Sequence, residues 1–171
     1  MGTGPSPEAI TAFHEAGHAV TAIVLGIQLD AEGITVNPKE KDLRGKTTFN
    51  VPNGFAFFAM PHPKMRRLAT VLCAGPLVEQ WVTQRDAEGE GRDISLLYII
   101  VSLLTRCSMD DVDENPRCQK LIDRHVKKAA DILNREHKAV HALALELVKR
   151  KTLTGTEATE IIQSALTVNT I

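Results

Sequence analysis

Apolar residues at helical spacing mark most of this chain, and that period constrains the fold more than any other feature. Leu68, Val71, Leu72, Gly75, Val78 and Val82 repeat every three or four positions. Such a stripe belongs to an amphipathic helix with one face in a core. A second stripe, Ile122, Val126, Ala129, Leu133, Val140, Leu143 and Leu147, predicts one long helix from Asn115-Pro116 to about Lys149. Aromatic residues are only 4% of the chain, so Leu, Ile, Val and Ala must build the core. A helical protein tolerates that better than an all-β one, which draws on aromatic and β-branched side chains.

Capping signals add the remaining helices. Ser6-Pro7-Glu8 opens one that runs to about Leu25 and stops at Gly26. Pro63 or a neighbour opens the next, ending near Thr83. A third, from Arg92 to Cys107, is apolar on most sides and is expected to be buried. Thr154-Gly155-Thr156-Glu157 is a capping box for a short final helix. Between the first two helices, residues 33–38 and 46–51 read as strands joined by a charged loop, and residues 85–91 as a polar loop. The expected fold is mainly α: five helices in one domain over residues 1–171, with a small β-ribbon or sheet after the first helix.

Composition narrows the function. Net charge is −1, with 20 basic and 21 acidic residues interspersed, so the basic footprint of a nucleic-acid binder is missing. No basic-then-apolar leader opens the chain, and the most apolar run, residues 94–104, is far short of the ~20 residues of a membrane span. Cys73, Cys107 and Cys118 are odd in number and show no paired spacing, which argues against a disulfide framework and for a reducing compartment. A soluble, cytoplasmic protein is expected.

The chemistry concentrates in His14-Glu15-Ala16-Gly17-His18. On a helix, residues four apart share a face, so His14 and His18 can turn ring nitrogens to one ion. Glu15, rotated by ~100°, is placed beside that ion rather than on it. A zinc ion there lowers the pKa of its water from ~15.7 to about 7, and Glu15 is positioned to take the proton and deliver it to a leaving amine. A catalytic zinc usually has three protein ligands. Spacing offers two candidates for the third: Asp93, first, at the start of an apolar helix, and Glu79, second, which could equally support a ligand histidine.

Two look-alikes carry less. His137 and His141 are also four apart, but Lys138 stands where the base is needed. Gly45-Lys46-Thr47 resembles the end of a phosphate-binding loop, yet position 40 is Glu40 rather than glycine, so no such loop is present. His62 and His125 are isolated.

Taken together, the segments resemble the peptidase domain of FtsH-type zinc metalloproteases. Phe13-His14-Glu15-Ala16-Gly17-His18-Ala19-Val20 is similar to that family's zinc helix. Residues 33–38, 72–79, 91–94 and 151–157 resemble later segments of the domain, in the same order. The resemblance implies one zinc per chain held by His14, His18 and Asp93, with Glu15 as catalytic base and peptides or unfolded segments as substrates. The family carries an ATPase module and membrane helices before this domain, and these 171 residues include neither, so a standalone domain is expected, acting by itself or with a separate ATPase. Its peptidase domains form rings, which makes a homo-oligomer a further expectation. Pro76 departs from the family, where a polar residue is usual, and the 85–91 loop is short. A noncatalytic, zinc-stabilised interaction module on the same scaffold is the alternative.

Overall fold

The computed structural model describes residues 4–37, 44–52, 55–85 and 91–167. The charged loop expected between the strands falls largely on residues 38–43, and the polar loop largely on 86–90, outside the described residues. The helices are α1 (Pro7–Val24), α2 (Phe55–Phe58), α3 (His62–Thr83), α4 (Arg92–Thr105), α5 (Pro116–Arg135), α6 (His137–Arg150) and α7 (Gly155–Thr167). The strands are β1 (Leu29–Thr35), β2 (Lys46–Phe49) and β3 (Thr152–Leu153). The fold is mainly α, with a small antiparallel sheet in the order β2-β1-β3.

Helix α1 begins as its sequence dictates. The Ser6 hydroxyl accepts from the Ala9 amide at 3.2 Å, and Pro7 stands in the first turn. It ends where Gly26 takes φ of +71°. α1 lies at the centre and packs on α3, α6, α5, α7 and β1. Its small residues make this possible: Ala12, Ala16 and Ala19 are fully buried. A Cβ on Gly17 would lie 2.8 Å from Val78 Cγ2 and 3.0 Å from the Ala74 carbonyl, so α1 and α3 meet closely because that position is glycine.

The sheet packs on α1 through β1 and β2. Ile34 pairs with Thr47 on one side and Leu153 on the other, and both Ile34 and Leu153 are fully buried. The Thr154–Glu157 capping box forms: the Glu157 carboxylate accepts from the Thr154 amide at 2.8 Å, and the Thr154 hydroxyl accepts from the Glu157 amide at 3.3 Å.

Several expectations need correction. The long helix from residue 116 is two helices that part at Glu136, where the backbone leaves helical geometry (φ −101°, ψ 21°). α5 packs chiefly on α3 and α6 on α1, so the two halves of one apolar stripe serve different partners. α4 is not buried on most sides. Leu97, Ile100 and Val101 are buried, whereas Ile94 is 38% exposed, because α4 packs on one side only, against α3 and α5. α2, β3 and a single 3-10 turn at Met109–Asp111 were not anticipated.

Candidate metal centre

α1 and α4 bring three acceptor atoms together, with α3 packed against them. His14 and His18, one turn apart on α1, hold their Nε2 atoms 3.0 Å apart. Asp93, in the first turn of α4, sets Oδ2 at 3.3 Å from His14 Nε2 and 3.1 Å from His18 Nε2. Glu79, on α3, stands on the other side of His14, with Oε2 at 3.0 Å from Nδ1. Of the two carboxylates considered for a third ligand, Asp93 faces the shared point and Glu79 braces a ring from behind.

The outer hydrogen bonds fix the tautomers. A carbonyl can only accept, so His18 Nδ1 donates to Val71 O at 2.8 Å, and His18 Nε2 is left with its lone pair toward His14 and Asp93. His14 Nδ1 likewise donates to the Glu79 carboxylate, which turns the His14 Nε2 lone pair inward. Two nitrogens and one oxygen, all lone-pair donors, thus converge with no hydrogen of their own between them. A proton or a cation must reside there. Ligands ~2.05 Å from a tetrahedral zinc stand roughly 3.3 Å from one another, close to the observed 3.0–3.3 Å. The donor set suits zinc in both chemistry and spacing.

Electrostatics agree with a site built for positive charge. Burial disfavours a charged His18, but Asp93 beside it, its hydrogen bond and Glu15 outweigh that and lift the ring to about 9. Burial alone would raise Asp93, yet His18 and the bonds from both rings hold its carboxyl well below the usual range.

Gly75 on α3 forms the floor. A Cβ there would lie 2.4 Å from His18 Nε2 and 2.6 Å from His14 Nε2. Pro76 follows within the same helix and has no N–H to give to the Leu72 carbonyl.

Glu15 is 6% exposed and lies against the start of β2. Thr47 Oγ1 donates to Glu15 Oε2 at 2.6 Å. A Cβ at Gly45 would come within 2.5 Å of Oε1, so glycine there leaves that oxygen room. Burial, opposed by His18, His14 and Thr47, pushes the Glu15 carboxyl above its ordinary range. Thr47 is the residue that sequence reasoning missed. Its only signal was the false phosphate-loop match, since its bond to Glu15 depends on how β2 docks on α1.

The look-alike pair stays apart from this chemistry. His137 Nδ1 donates to Asn134 O at 3.0 Å and His141 packs edge-on to Phe13. Among the described residues, His14, His18 and Asp93 form the one cluster with metal-binding spacing.

Among the described residues, no helix is long and apolar enough to cross a membrane. No family model matches the chain. A relative named ATP-dependent zinc metalloprotease FtsH, from Caldicellulosiruptor bescii, is 22% identical in an alignment 185 positions long, gaps included, which covers 90% of this chain and 30% of that protein. The chain is thus distantly similar to a region of a zinc metalloprotease about a third as long as the whole.

Proposed function

We propose that this chain is a zinc-dependent metalloendopeptidase domain acting on peptides or unfolded protein segments. In this reading His14, His18 and Asp93 hold one zinc ion and Glu15 is the general base. The supporting observation is the convergence of three lone-pair donors, each ring locked from behind, beside a buried carboxylate. The similarity to a zinc metalloprotease over most of the chain agrees with it.

When bound, zinc supplies Lewis-acid polarisation of the scissile carbonyl and acidification of water. The chain's residues do the rest. Val71 O and Glu79 keep the two rings in the ligand tautomer. Thr47 holds Glu15 at Oε2, leaving Oε1 to take a proton from the attacking water. Glu15 then returns that proton to the departing amine. A separate ATPase that unfolds substrates, and assembly of several copies, are partners consistent with this reading.

The test is Glu15→Gln in zinc-loaded protein, assayed on unfolded casein and a peptide library by mass spectrometry. The variant should bind zinc as wild type does and lose at least ~100-fold in hydrolysis. A wild type that cleaves nothing the variant spares would defeat the enzyme reading. It would favour a noncatalytic, zinc-stabilised module, for which the burial of Glu15 and its bond to Thr47 are the supporting observations.

A further inference from the structure

A second pair of reactive side chains lies far along α4 from Asp93. Cys107 follows the end of α4, where Arg106 takes the left-handed conformation (φ 58°) and turns the chain back. Cys118 sits in the first turn of α5, behind the Asn115 cap and Pro116. The reversal between them, braced by the 3-10 turn, sets the two Sγ atoms 2.7 Å apart. A bonded pair stands at ~2.05 Å, so about 0.7 Å of closure separates the thiols from a covalent link. All three cysteines are free. Cys118 is fully buried, whereas Cys107 is half-buried and within reach of small reagents. The Thr105 hydroxyl, which donates to the Val101 carbonyl at 2.7 Å, lies 3.2 Å from both sulfurs. Cys73 is buried on α3, and burial pushes its thiol up to about 12.

We propose that Cys107 and Cys118 are a reversible dithiol–disulfide pair that clamps the end of α4 to the start of α5. The oxidant is a low-molecular-weight disulfide such as oxidised glutathione. The Cys107 thiolate attacks one of its sulfurs, forms a mixed disulfide and releases one thiol. The Cys118 thiolate then attacks Cys107 Sγ, forms the Cys107–Cys118 bond and expels the second thiol. The protein gives up two electrons and two protons, and the reagent leaves as two thiols. Exposure sets the order, since the half-buried sulfur meets the reagent first. The clamp restrains α4, the helix whose first turn carries Asp93 and which packs on α3 and α5. It does not depend on the peptidase reading.

The test uses the full chain, reduced, desalted and incubated with oxidised glutathione. Intact mass should fall by about 2 Da, with Cys73 alone left to alkylate under denaturing conditions. Trypsin cuts after Arg106 and Arg117, so residues 107–117 should appear joined to 118–120. The melting temperature should rise by about 5 °C or more over the reduced form, and dithiothreitol should reverse it. Cys118→Ala should stop at a glutathione adduct of about 305 Da on Cys107. Cys73→Ser should behave as wild type. Three alkylatable thiols after oxidation, a link through Cys73 or to a second chain, or no gain in melting temperature would each overturn the proposal.

Discussion

Gly75→Ala tests the floor of the candidate metal centre with a single methyl group. The added Cβ would lie 2.4 Å from His18 Nε2, 2.6 Å from His14 Nε2 and 2.7 Å from His14 Cδ2. Ordinary contact between such atoms begins near ~3.5 Å, so the rings must retreat by about 1 Å. Sites of this kind tolerate roughly 0.5 Å before they lose function. His14 borders solvent and can retreat, whereas buried His18 moves only by loosening its bond to the Val71 carbonyl, a change confined to the site. The fold should therefore survive, helped by alanine's helix preference of about 1 kcal/mol over glycine. Zinc affinity should not survive. We expect a loss of at least ~100-fold, or about 2.7 kcal/mol. Competition with a chromophoric chelator measures the affinity, and thermal melts in excess chelator report the fold. A Gly75→Ala protein that melts like wild type and binds zinc within threefold of it would refute the close approach of α3 to both rings.

Two pH dependences follow from the charges. In the ion-free protein Asp93 keeps a proton on His18 up to about pH 9. Zinc must displace that proton, so apparent affinity should climb about tenfold per pH unit between pH 6 and 8; a flat profile would contradict the pairing. His125 behaves in the opposite way. It is buried, its Nδ1 lies 2.8 Å from the Thr70 hydroxyl and, among the described residues, its Nε2 has no hydrogen-bond partner. Burial, with Arg66, Lys128 and Arg124 nearby, lowers the ring to about 4. A depressed folded-state pKa means the unfolded chain takes up the proton first, near 6.5. Its contribution is complete above pH 6.5 and is lost as pH falls toward 4. After allowance for partial solvent screening, the loss is about 2 kcal/mol. His125→Leu should remove that acid sensitivity in pH-dependent urea melts; equal slopes for both proteins would contradict it.

What the sequence reveals here depends on how local each cause is. The Ser6 cap, the Thr154–Glu157 box and the Gly26 stop are settled within a few residues, and the structure follows them. The break at Glu136 has no local signal, because no glycine or proline stands between Asn134 and His137. It arises because α5 and α6 rest on different helices. α4 misleads for a related reason: its composition is apolar all round, but partners cover one face. In the candidate site, the His14/His18 spacing fixes a shared face once a helix is assumed. The choice between Asp93 and Glu79 is not local, since both carboxylates reach His14 from other helices, one at Nε2 and one at Nδ1. Thr47 and Gly75 act across the tertiary fold, and their residue types alone say nothing of it.

The most direct test of the account is elemental analysis of the purified chain beside Asp93→Ala and His18→Ala. The account predicts about one zinc per wild-type chain, retained through dialysis, and a small fraction of that in either variant. Wild type without stoichiometric zinc, or Asp93→Ala with a full complement, would contradict it.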